Sequence, residues 1–253
     1  MSFFHNVACV LRTWSNNADI AKAVKRALDV GFRKIIVVVK DEDPAHFGSV
    51  EAWLADIVRS CPADQVTILP MRVGYSWSNA LNYALDEIRR MNLKAAMNFG
   101  EPTIDYVLNV SNEVLYTSEH IFEMYKAISS DEKTGAVGVT FEGRQNGNVV
   151  DLGKSYIHPR NTMMLVRFSA YLQIGGYSPR CDQHGGQEDL DWLIRLEQMG
   201  HRWSMLDLKV RLLVGVNFNQ TVKESREMKA ITSIMTMNAE VVSGFAKAIQ
   251  RLY

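Results

Sequence analysis

Three carboxylates crowd the start of one amphipathic run, beside two pairs of glycines. Gly175 to Pro179 reads GGYSP, and Gly185 to Leu196 reads GGQEDLDWLIRL. Leu190, Leu193 and Ile194 fall at i, i+3 and i+4, which predicts a helix after Gln187. Glu188 and Asp189 then stand in its first turn, next to a loop at Gly185 and Gly186 that can move over a ligand. A carboxylate so placed can take a proton from an acceptor hydroxyl. A purely structural reading also exists: acids favour the positive end of a helix, and Asp191 can pair with Arg195 four residues on.

Placing those acids requires a scaffold, and the preceding sequence describes one. Val7 to Leu11 and Lys34 to Val39 (KIIVVV) are apolar runs of strand length, the second of the kind buried on both faces of a parallel sheet. Between them a helix from about Ala18 to Val30 is capped by Asn17 and stopped by Gly31. Residues 49–60 read as helix, Val66 to Leu69 as strand, Ser76 to Met91 as helix and Tyr106 to Val110 as strand. Ser118 to Ile128 then reads as helix and Ala136 to Phe141 as strand. This alternation predicts an α/β fold with a mainly parallel central sheet flanked by helices.

The second half is a smaller mixed β region: a hairpin around Asn146-Gly147, a strand over Thr162 to Val166, and strands near Arg202 to Leu206 and Val210 to Val214. Thr221 and Glu224 form a capping box that opens a long amphipathic helix over about 221–250. No repeat or linker divides the chain, so 1–253 reads as one domain: a ligand-binding half to about 115, a half carrying the acids over 116–215, and the terminal helix.

The 253 residues carry zero net charge, with 47% hydrophobic and 22% charged residues, so no basic excess points to nucleic acid. Cys9, Cys61 and Cys181 match neither a disulfide framework nor a zinc site and fit a reducing cytoplasm. No apolar run is long enough to span a bilayer, so the chain reads as soluble or at most peripheral, with room for a homodimer. The six histidines show no metal spacing, and His184 reads as a loop residue.

The G-G-Y turn, the glycine loop and the run E-D-x-D-x-x-x-R-L together resemble the acceptor side of family 2 glycosyltransferases with a GT-A (nucleotide-diphospho-sugar transferase) fold. Shorter similarities follow in the same order over roughly residues 6–207. Arg12 to Ser15 resembles the first-strand P-x-Y-N motif, with Arg12 for Pro and Trp14 for Tyr. Asp41, after the second strand, matches the acid that holds the base or ribose. RVGYSWSNALNYAL, from Arg72 to Leu85, resembles the segment that closes over the nucleotide, and implicates Gly74, Ser78 and Asn79. Aligning the strand DYVL from Asp105 sets Ser111-Asn112-Glu113 over D-x-D, where only Glu113 keeps an anionic oxygen. Asn217 and Asn219 stand near the place of a later metal-binding histidine.

The resemblance implies an inverting, non-processive transfer of a sugar from a nucleotide-sugar to a hydroxyl. Asp189 matches the family's base, with Glu188 second; Gly185, Gly186 and Asp191 belong to the acceptor loop. Gln198 and Arg202-Trp203 are one residue too far apart for the processive Q-x-x-R-W motif. With D-x-D degenerate, any Mg²⁺ or Mn²⁺ is held weakly at Glu113 with nucleotide assistance, or cations such as Arg12, Arg72, Arg167 or Lys154 face the phosphates instead. The alternative is a catalytically silent domain of this fold that binds a nucleotide or a partner protein. A nucleotidyltransferase on a similar sheet fits less well, because Arg12 to Asn17 contains no glycine.

Overall fold

The computed structural model describes residues 4–13, 19–40, 52, 54–62, 64–71, 76–98, 102–145, 148–151, 158–184 and 188–215. Its strands are β1 (Phe4–Thr13), β2 (Phe32–Lys40), β3 (Val66–Met71), β4 (Tyr106–Ser111), β5 (Val114–Leu115), β6 (Thr134–Gln145), β7 (Asn148–Asp151), β8 (Met163–Arg167) and β9 (Arg202–Gly215). They form one sheet in the order β3-β2-β1-β4-β8-β6-β9-β5, with β7 hairpinned onto β6. The pairs β1–β2, β1–β4, β2–β3 and β6–β9 are parallel, and β8 runs antiparallel between β4 and β6. The expected α/β fold with a mainly parallel sheet is therefore present. Reversing β8 brings its start, rather than its end, to the edge where β1 and β4 finish.

The helices are α1 (Asp19–Val30), α2 (54–60), α3 (Trp77–Met97), α4 (Ser118–Ser129), α5 (Phe168–Ile174) and α6 (Glu188–Gln198). Side chains alternate across the sheet with period two. Val7, Cys9 and Leu11 of β1 join Leu108 and Val110 of β4 in a core covered by α1 and α4. Ala8 and Val10 join Val107 in a second core beneath α3, α5 and α6. By the same alternation Arg12, Asn109 and Ser111 are on the α3–α6 side of the sheet, and the register pairs Val10 with Asn109 and Arg12 with Ser111.

Local chemistry explains the boundaries. α1 presents Ile20, Ala23, Val24 and Ala27 inward at helical spacing and ends at Gly31, whose φ of +90° suits glycine. α3 starts where the Ser76 hydroxyl accepts a hydrogen bond from the Asn79 N–H at 3.2 Å, and continues past Met91 to Met97. α5, seven residues long, carries too little periodicity to stand out in sequence and was not anticipated. The two strands expected near 202–206 and 210–214 are one strand, β9, which absorbs an irregularity where Lys209 takes a φ of +50°.

The face of α6 also differs from the expected one. Leu193 is buried as anticipated, but its inward partners are Trp192, Leu196, Glu188 and Asp189; Leu190 and Ile194 are only partly covered. The acids therefore point toward the sheet. β6 and β7 pair from Gln145–Asn148 outward, as a hairpin requires, with the Asn146-Gly147 turn itself outside the described residues. The expected C-terminal helix, including Thr221 and Glu224, likewise lies outside them. Among the described residues no helix is long and apolar enough to cross a membrane.

Candidate functional site

A buried network of two acids, two guanidiniums and two amides gathers where β1 and β4 end and β8 begins. Open α/β sheets bind ligands at this carboxyl edge. Arg12, near the end of β1, is only 6% exposed and stacks its guanidinium on Trp77, 4.6 Å from the ring centroid. Its Nη1 donates to the Trp77 carbonyl at 3.4 Å and its Nη2 to the Asn161 carbonyl at 3.2 Å. Glu188 Oε1 stands 4.0 Å from Arg12 Nη1 and accepts a hydrogen bond from Asn161 Nδ2 at 3.2 Å. Asp189 accepts from the Asn161 N–H at 3.3 Å and from the Leu190 N–H at 2.8 Å. Arg160 Nη1 and His158 Nε2 lie 3.6 and 3.7 Å from Asp189 Oδ1.

The segment holding His158, Arg160 and Asn161 reaches α6 because of one glycine. A Cβ at Gly138 of β6 would stand 2.7 Å from the Pro159 Cα, so only glycine lets this backbone lie on the strand. A turn from the Met163 N–H to the Arg160 carbonyl follows, and the Ser111 N–H donates to the Thr162 carbonyl at 2.9 Å.

The GGYSP turn fixes α6 from the other side. Gly175 caps α5 at a φ of +86°. Its carbonyl accepts the Trp192 indole N–H at 3.1 Å, while Trp192 is fully buried. Asn82 of α3 donates to the Tyr177 carbonyl and accepts from the Tyr177 N–H, both at 2.8 Å. Arg195 donates to the Ile174 and Gly176 carbonyls and pairs with Asp191 at 2.7 Å. Arg195 is thus the strut between α6 and the turn, and Asp191, as its spacing from Arg195 suggested, commits its carboxylate to holding it.

The two site acids differ in proton affinity. Burial, then the charge of Asp189, pushes the Glu188 carboxyl up to about 7, against the opposing pull of Arg12 and Asn161. Burial also works to raise Asp189, but His158, Arg160 and the Asn161 N–H outweigh it and hold that carboxyl below its ordinary value. At neutral pH Asp189 is ionised and Glu188 is poised between its two forms. Such divergence in a coupled pair is the pattern that acid–base chemistry uses.

The other expected positions are distributed unevenly. Ser111 ends β4 beside Arg12, and Glu113 follows it in a tight turn before β5. Ser78 is buried, and its hydroxyl donates to the Ser178 carbonyl at 3.0 Å, so it braces the turn; Asn79 sits in the first turn of α3. Arg167 is a correction: because β8 is reversed, it pairs with Tyr106 at the opposite edge and donates to the Thr134, Ile128 and Asp131 carbonyls. Asp105 lies at that far edge too, bonded to Asn6 and Thr103. Asp41, Trp14, Gly74, Arg72, Lys154, Gly185, Gly186, Asn217 and Asn219 lie outside the described residues. His184 ends the 3-10 turn Pro179–His184.

Asn161, Asn109, His158, Arg160 and Trp77 escaped the sequence reading. Two signals existed: a lone Asn inside the apolar strand YVLNV, and the polar run His158-Pro159-Arg160-Asn161 just before a strand.

The turn after β4 offers Ser111 and a single carboxylate, Glu113, and no group of three His, Cys, Asp or Glu is placed to share a metal among the described residues.

No family model matches this sequence, and no curated protein does. Solved structures do resemble it. A mannosyltransferase from Pyrobaculum calidifontis, in complex with GDP-Man and Mn²⁺, superposes with a TM-score of 0.66 at 13% identity, covering 93% of this chain and 64% of its own. Glucosyl-3-phosphoglycerate synthase from Mycobacterium tuberculosis, with Mn²⁺, UDP and phosphoglyceric acid, gives 0.55 at 11% identity over 91% and 78% of the two chains. The 4-diphosphocytidyl-2C-methyl-D-erythritol synthase of Anaerococcus prevotii gives 0.50 at 9% identity, over 88% and 95%. The fold is accordingly GT-A-like. The present chain spans less than two thirds of the mannosyltransferase's length.

Proposed function

We propose that this chain is a glycosyltransferase of the family 2 type, moving a sugar from a nucleotide-sugar to a hydroxyl acceptor, with inversion and one unit at a time. The observation that carries the reading is the acid pair of α6, set at the ligand-binding edge of a GT-A-like sheet with opposite shifts in proton affinity. In the reaction the acceptor oxygen attacks the anomeric carbon as the bond from that carbon to the diphosphate oxygen breaks. The hydroxyl proton passes to a carboxylate. Sequence position favours Asp189 for that role. Proton affinity favours Glu188, since a base near pH 7 combines availability with driving force, whereas Asp189 is weakened by its donors. We assign proton acceptance to Glu188 and orientation of the pair to Asp189.

Arg12, beside Ser111, is the described cation best placed for the diphosphate, and Asp41 is assigned to the nucleoside. Any Mg²⁺ or Mn²⁺ would arrive with the nucleotide, with Glu113 its one anionic protein ligand at the turn. Free Cys9, Cys61 and Cys181 fit the reducing cytoplasm we assign to it.

The test is calorimetry with a panel of nucleoside-diphosphate sugars, with and without Mn²⁺, followed by assays for hydrolysis and transfer. Binding of one donor and release of its nucleoside diphosphate is the expected result. Failure of every donor to bind in either condition overturns the reading.

One observation favours a second reading, a silent domain that binds nucleotide or protein without turnover. Both acids are already met by internal partners, Arg12 and Asn161 for Glu188, Arg160 and Asn161 for Asp189. Nucleotide binding without any sugar release would select it.

A further inference from the structure

The geometry points to Asn161 as the positioning residue of the acid pair: its side-chain amide serves Glu188 and its backbone N–H serves Asp189. The inference rests on the glycosyltransferase reading for its catalytic meaning, though not for its structural content. Asn161 is 2% exposed and makes four polar contacts, each with a different partner. Its Nδ2 donates to Glu188 at 3.2 Å, its N–H to Asp189 at 3.3 Å, and its carbonyl accepts from Arg12 at 3.2 Å. The fourth contact engages the other end of the amide. Asn109 Nδ2 donates to Asn161 Oδ1 at 3.2 Å and to the Tyr177 hydroxyl at 3.0 Å. An ionised Glu188 can only accept, so it takes the Nδ2 end of the Asn161 amide and leaves Oδ1 to Asn109.

The backbone has no slack either. Pro159 lies on Gly138, and the Ser111 N–H holds the Thr162 carbonyl, so the Asn161 N–H arrives at Asp189 from a clamped turn. Asn161 therefore couples three parts of the site, Arg12, Glu188 and Asp189, to the central strand β4. A donor to an ionised carboxylate favours its charged form, so the side chain keeps Glu188 from rising further above neutrality.

The test separates side chain from backbone. In Asn161→Ala the amide is lost and the N–H remains. Carboxyl carbon resonances of the labelled free protein, followed through a pH titration, should show the Glu188 midpoint raised by about one pH unit, with Asp189 unmoved. The rising limb of the pH–turnover profile should shift with Glu188, lowering kcat at pH 7 while the donor KM stays. An unmoved Glu188, or both carboxylates moving together, overturns the assignment. Should Asn161→Ala fail to fold, Asn109→Leu removes the donor that orients the amide; Glu188 should then rise by a smaller amount, and no rise is fatal to the idea. Because the titration needs no substrate, a protein with no detectable transfer would sink the glycosyltransferase reading while leaving the role of Asn161 decided.

Discussion

Replacing Glu188 by Gln should remove a pH dependence from the stability of the whole domain. The Glu188 carboxyl titrates near 7 in the fold, against 4.5 for a free glutamate, because burial and the neighbouring Asp189 disfavour its charge. Its folded value is the higher one, so the folded chain holds the proton more firmly. The contribution is complete below about 4.5 and is lost as pH rises through about 7. At 1.36 kcal/mol per pH unit, the gap corresponds to about 3 kcal/mol of stability lost between pH 4.5 and pH 8. That figure is an upper bound, since local rearrangement and water entry relieve part of the cost. Gln keeps the acceptor for Asn161 and cannot ionise. Urea unfolding at pH 5 and pH 8 measures the effect. Wild-type and Glu188→Gln should be similar at pH 5, and the variant should be the more stable at pH 8. The depressed carboxyl of Asp189 acts in the other sense and in a lower window: its stabilisation is present above the unfolded value and lost as pH falls through the folded one. A difference between the two proteins that is equal at pH 5 and pH 8 would refute the burial argument.

Three further outcomes can be checked. Glu188→Gln should cut turnover by about 10²–10⁴-fold with donor affinity preserved; an equal loss of donor binding in calorimetry would make Glu188 a structural residue instead. Gly138→Ala should cost about 1–3 kcal/mol in urea unfolding, since the new Cβ meets the Pro159 backbone at 2.7 Å and the Met205 sulfur at 2.8 Å; a neutral variant would mean the segment over β6 is not clamped. Metal analysis of the purified protein should find no stoichiometric Mn²⁺ or Mg²⁺, and Mn²⁺ titrated alone should give no calorimetric signal, because Glu113 supplies the only carboxylate at its turn; tight binding without nucleotide would disprove this.

Much of the scaffold was legible because its signals are local. KIIVVV announces a strand buried on both faces, Gly31 marks a helix end, and Asp191 with Arg195 declares a pair one turn apart. The order of short motifs also indicated the GT-A-like fold. Periodicity went astray on α6, where apolar spacing selected Leu190 and Ile194 while packing chose Trp192 and the two acids. A helix start that meets buried amide and guanidinium groups can bury carboxylates that a count of hydrophobic residues assigns to solvent. The single β9 was hidden by a break in pattern that a twisted strand absorbs.

What only the tertiary structure decided is which residues meet. Reversal of β8 carried Arg167 to the far edge and brought Arg160 and Asn161 to the near one, although a few residues separate them in sequence. Asn161 contacts Asp189 across 28 positions and Asn109 across 52. No local propensity encodes contacts at that distance. They arise from strand order, from the close approach that Gly138 permits, and from the requirement that buried polar groups find partners. The chain's residues supplied the acids; the path of its backbone set their proton affinities apart, one raised by burial and the other lowered by its donors.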